Sequence, residues 1–198
     1  MADFMRYLPL SQGDRERESD VSSDWRDATA DVIDRAAVVL EGADLDGAGL
    51  DDGAAARLVD RFVESASTRR HPAPEQPADA GPTSPVDRLR AFAVAIRLGR
   101  PARVSILSRA VAAYLLLARD VGAAPALPER TSGAVALYLA AKAPTPIRAV
   151  TSGHTIRASD ADWEFGRGPV LEQQAIPMLE FLLGRGIDAP RPAADQPS

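Results

Sequence analysis

Few residues in this chain are suited to acid–base or ligand chemistry: there are two histidines, His71 and His154, and no cysteine. Without thiols there is no disulfide, no thiolate nucleophile and no cysteine metal site, so any chemistry falls to His, carboxylates, hydroxyls or Arg. His154 stands between Gly153 and Thr155 in a stretch with strand-like alternation. An imidazole that titrates near neutrality suits general-base or ligand-binding work, and the plainer reading is a structural residue at a strand start. Arg157 on the same unit and Arg185 beyond the last helix could grip a carboxylate in bidentate fashion. The plainer reading for them is a solvated strand and a helix end. Asp160 and Asp162 flank a turn, where aspartates bond their own backbone. Trp163 reads as an apolar plug between a β unit and the helices. His154, Arg157 and Arg185 are thus candidate ligand-binding groups, with no complete catalytic signature around them. No metal site is expected either, because a proline-rich loop holds His71 and a β segment holds His154.

Two further patterns invite a ligand and fall short. Asp44-Leu-Asp46-Gly-Ala-Gly49 resembles the start of a calcium loop, which needs glycine at its sixth position. Position 5 is Ala48 and position 12 is Ala55, so the terminal bidentate glutamate is missing. Arg88, Arg90, Arg97, Arg100, Arg103 and Arg109 could form a basic stripe for nucleic acid. Almost no aromatic residues interleave with them, so stacked bases would have no platform. A solvated helical face accounts for them better, in a chain whose only lysine is Lys142.

The elements that must position these residues are mainly helical. Residues 1–23 carry mixed charge with little to bury and read as a flexible N-terminus. From Asp24, Val32, Ala36, Val39 and Leu40 share one helical face, and Gly42 reads as its stop. After a glycine- and aspartate-rich loop (42–53), Leu58, Phe62 and Val63 mark a second helix ending near Arg70. Residues 71–84 form a proline-rich loop. Ser84-Pro85-Val86-Asp87 then predicts a capped helix start, leading through Leu89, Phe92 and Ile96 to Gly99. Pro101 to Gly122 carries the next apolar stripe, and Ser132 opens a helix that ends before Pro144 and Pro146. Beyond Pro146 the period changes to 2: Ile147–Thr151, Thr155–Ala158 and Val170–Leu171 predict a small antiparallel β unit. A helix over Ala175–Leu183 follows, and 187–198 is a flexible tail. The expected fold is mainly α (α+β): a helical bundle over 24–143, then a β unit and helix over 144–186.

The run His154-Thr-Ile-Arg-Ala-Ser-Asp-Ala-Asp-Trp163, with Phe165-Gly-Arg-Gly-Pro-Val170 and Leu182-Leu-Gly-Arg185, resembles the C-terminal segment of the maleylpyruvate isomerase-like, mycothiol-dependent family. The resemblance implies a DinB-like four-helix bundle joined to a small α/β part. It also implies a divalent metal bound through histidines and a carboxylate, and a thiol cofactor such as mycothiol. The last bundle helix should carry two of the metal ligands. Here it reads Ser105-Ile-Leu-Ser108-Arg109-Ala-Val-Ala-Ala113-Tyr114, with no histidine or carboxylate. Gln173-Gln174 also replaces the family's glycine and proline before the final helix. The resemblance therefore implies a degenerate, non-catalytic relative serving as a binding or interaction module, as a homodimer or beside an active paralogue. The alternative is a metal- and mycothiol-dependent isomerase or transferase acting on a small carboxylate. No cofactor is expected in the first case.

Composition narrows the partners. A net charge of −5 over 198 residues makes attraction to nucleic acid or anionic membrane unfavourable. Charged residues interrupt every apolar run, so no membrane span is expected, and Met1–Leu10 lacks an apolar signal core. The expected location is the cytoplasm.

Overall fold

A computed structural model describes residues 24–45, 51–74, 84–186 and 188–193. The expected flexible N-terminus, residues 46–50 of the calcium-like loop, the centre of the proline-rich loop and the end of the tail lie outside the described residues. Among the described residues, seven helices and four strands form in the order α1 (Arg26–Leu45), α2 (Asp52–Ala66), α3 (Pro85–Leu98), α4 (Val104–Asp120), α5 (Glu129–Lys142), α6 (Thr145–Thr151), β1 (Thr155–Ala158), β2 (Glu164–Gly166), β3 (Val170–Gln173), α7 (Ala175–Leu182) and β4 (Arg191–Pro192). The chain is mainly helical, with a small mixed sheet near its C-terminus.

Helices α1 and α2 each pack against both α3 and α4, so four helices share one apolar centre. Residues at helical spacing fill it: Val32, Ile33, Ala36 and Leu40 from α1, Leu58 and Phe62 from α2, Leu89, Phe92 and Ile96 from α3. Helix α4 is the most enclosed, burying Leu107, Ala110, Val111, Tyr114, Leu115 and Ala118 among others. Asp51 caps α2 by accepting from the Ala54 amide at 2.6 Å, which satisfies one of its free first-turn donors. At α3 the expected side-chain cap is not made: the Ser84 hydroxyl accepts no helix amide, although its carbonyl accepts from the Arg88 amide at 3.0 Å, and Pro85 follows at the first helical position. The Gly42 stop is also overruled, because α1 runs through it to Leu45. A Cβ at Gly42 would meet nothing within 4 Å, so no close contact calls for glycine at this helical position.

Helix α5 packs on α4 at one side and on α7 at the other, joining the bundle to the sheet. The sheet order is β2-β1-β3-β4. Strand β1 pairs antiparallel with β2 and parallel with β3, while β3 pairs antiparallel with β4. The expected all-antiparallel unit is thus corrected to a mixed sheet: after the β1–β2 hairpin, the loop over 167–169 carries the chain back across β1, so β3 runs beside it in the same direction. The predicted strand over Ile147–Thr151 is a helix, α6, with Pro146 in its first turn and only Ile147 facing the core. Its other apolar residues, Ala149 and Val150, stand exposed. Ile156, Leu171, Met178 and Leu179 join the bundle residues in one continuous core.

Candidate functional site

The surfaces of α5 and the β1–β2 hairpin enclose a cleft of about 620 Å³, floored by Trp25 at the start of α1. Trp25 is only 2% exposed. One long-range and one local bond hold it: its amide donates to the Ala102 carbonyl at 2.8 Å, and Thr29 Oγ1, one turn on, donates to the Trp25 carbonyl at 2.7 Å. Asp24 reinforces the join by accepting from the Ala102 amide at 3.0 Å and the Arg26 amide at 3.1 Å. Partial burial pushes the Asp24 carboxyl up, but those amides and the Arg26 guanidinium outweigh it and hold the carboxyl below the ordinary carboxylate range. Among the described residues the buried Trp25 indole Nε1 finds no acceptor, which costs about 1–3 kcal/mol. The Arg130 guanidinium lies 5.0 Å over the Trp25 ring, in cation–π range.

The opposite wall is Trp163 with Phe165, their ring centroids 5.9 Å apart and their planes 15° from parallel. Trp163 Nε1 donates to Ser132 Oγ at 3.1 Å, and Ser132 in turn donates to the Glu129 carbonyl. Gly133 permits this approach: a Cβ there would sit 3.0 Å from Trp163 Cγ. Trp163 is a half-buried cleft wall tied to α5 through Ser132. Glu129, Asp162 and Glu164 stand exposed at the rim.

The other sequence candidates disperse. Arg157 lines the cleft with its Nη2 paired to Glu172 at 2.6 Å. Arg185 instead ties the end of α7 to the bundle by donating to the Ala112 carbonyl at 2.9 Å. The two arginines serve separate partners and do not form a common carboxylate clamp. His154 sits half-buried before β1 with Nδ1 3.1 Å from the Ser152 carbonyl, a local turn contact. Asp160 does not bond its own turn. Its Oδ1 accepts from the Ala175 amide at 2.6 Å and so caps α7 from the hairpin. His71 is buried, with Nε2 3.1 Å from the Arg100 carbonyl. Among the described residues, no three His, Asp or Glu side chains gather into a group able to hold a metal ion.

The glycines of the motif have a backbone role. Gly166 and Gly168 adopt φ of 101° and 114°. A Cβ at Gly166 would collide with the His154 carbonyl oxygen, and one at Gly168 with that of Gly153. The Gly-Arg-Gly run therefore lets two chain segments touch at the β1 entrance. Sequence reasoning did not bring Gly133 and Phe165 to Trp163, nor Trp25 and Arg130 to the same cleft. The usable signal was scarcity: Trp25 and Trp163 are the only tryptophans of the chain.

Comparison with family models, curated proteins and solved structures returns no match.

Proposed function

We propose that this protein is a non-catalytic binding module of maleylpyruvate isomerase-like descent, with its ligand site in the cleft between α5 and the β1–β2 hairpin. The carrying observation is the cleft itself, about 620 Å³ with aromatic walls from Trp25, Trp163 and Phe165 and ionic groups at its rim. Cavities of this size, largely apolar with a few placed charges, are where small ligands bind. The descent reading adds that α4, where the family carries metal ligands, presents Ser105, Ser108, Arg109 and Ala113 instead. In this reading neither mycothiol nor a metal takes part.

The test combines elemental analysis of the full chain, purified without chelator, with a small-molecule panel read by the indole N–H resonances of Trp25 and Trp163. Substoichiometric metal and a compound that shifts Trp163 are expected. Stoichiometric metal would overturn the non-catalytic part in favour of a metal- and mycothiol-dependent isomerase or transferase. Compounds that shift resonances only outside the cleft would overturn the site.

A further inference from the structure

We infer, resting on the cleft as the ligand site, that its ligand is a small organic cation with an alkylammonium or guanidinium head. Aromatic faces attract cations through the ring quadrupole, and aromatic walls with nearby carboxylates are how proteins hold quaternary ammonium groups. Three observations point this way. The protein's own cation, Arg130, rests 5.0 Å over the 2%-exposed Trp25 ring, so this end of the cleft already holds a cation–π contact and the aromatic surface left for a ligand lies on the opposite wall. Trp163 and Phe165 present a second aromatic surface at the same cleft, both half-exposed. Among the described residues that line the cleft, Glu129, Asp162 and Glu164 make three carboxylates against two guanidiniums, Arg130 and Arg157, and Glu172 beside the cleft pairs with Arg157. An anionic ligand would have to pass the exposed carboxylates to reach Arg130, which is engaged over Trp25, or Arg157, which is paired with Glu172, whereas a cation is drawn in by the rim.

Both tryptophans line the cleft, so the emission of the whole chain reports on this one site. The experiment titrates the full chain with benzyltrimethylammonium, benzyl alcohol and benzoate at matched ionic strength. These probes share a phenyl ring and differ in charge. A saturable emission change is expected for the cation, with half-saturation in about the millimolar range. The alcohol and the anion should need several-fold more. The double variant Glu129→Gln/Glu164→Gln, which changes exposed side chains only, should raise the cation's half-saturation about two- to tenfold and leave that of benzyl alcohol unchanged. If benzoate or benzyl alcohol binds as tightly as the cation, or the double variant binds it unchanged, the cation class is overturned and the cleft reading survives. If no probe gives a saturable change, both fall together.

Discussion

At the scale of single residues, the contact between Gly133 and Trp163 decides whether the cleft exists. Replacing Gly133 with alanine would set helix propensity, worth up to about 1 kcal/mol in favour, against a Cβ 3.0 to 3.2 Å from three Trp163 atoms. A larger residue leaves no contest. Gly133→Leu is expected to cost about 1–3 kcal/mol by overpacking and to shift tryptophan emission as Trp163 is displaced, measured by denaturant unfolding and fluorescence. Gly168→Ala meets backbone rather than a movable ring, at a φ of 114° that L-residues avoid. It should destabilise by at least about 1–3 kcal/mol, read from the same unfolding curves. Equal stability of Gly168→Ala and wild type would show that the Gly153–Gly168 contact is not maintained in solution. These glycines were visible in the sequence as a motif. Their reason was not, because the atoms they make room for lie on the other side of the β1 entrance.

At the scale of elements, the start of α1 is held to the α3–α4 connection by Asp24, whose carboxyl the Ala102 and Arg26 contacts keep below its ordinary value. A lowered folded-state pKa means that the ionised form contributes stability above the unfolded value of about 3.9, and that this is lost as pH falls through the folded value. Acidification below about pH 4 should therefore destabilise wild type more than Asp24→Asn, when the two are compared by unfolding across pH. Asp24 is 36% exposed at its side chain, so solvent screening limits the difference to less than about 1 kcal/mol. A parallel case joins α1 to α3: Arg97 reaches Asp31 at 2.6 Å and Asp34 at 2.7 Å, and both contacts raise its pKa. Helices of this kind were legible from spacing, since Leu89, Phe92 and Ile96 announce α3 without outside help. The strand forecast at 147–151 failed, because a seven-residue segment with one buried side chain satisfies either period.

At the scale of the whole molecule, bundle and sheet share one core, with Met178 and Leu179 of α7 buried beside bundle residues through α5. Unfolding should then be a single event. Tryptophan emission, which reports the cleft, and far-UV circular dichroism, which reports mostly the bundle, are expected to give coincident transitions. An early emission transition would mean that the C-terminal layer opens alone. Met178→Ala should lower both together, by about 2–5 kcal/mol, because Met178 is fully buried at the junction.

By itself the sequence determined the helical class, most helix positions, the β1 and β3 segments and the glycine turns, since each depends on neighbours a few residues away. Tertiary structure alone decided that β3 would run parallel to β1, that Asp160 would cap α7, and that residues 25, 130–133 and 157–165 would meet around one cleft. The physical reason is range. Periodicity and turn chemistry act within a turn or a hairpin, whereas the cleft forms only when packing of the shared core brings α1, α5 and the hairpin together, across separations that no local pattern records.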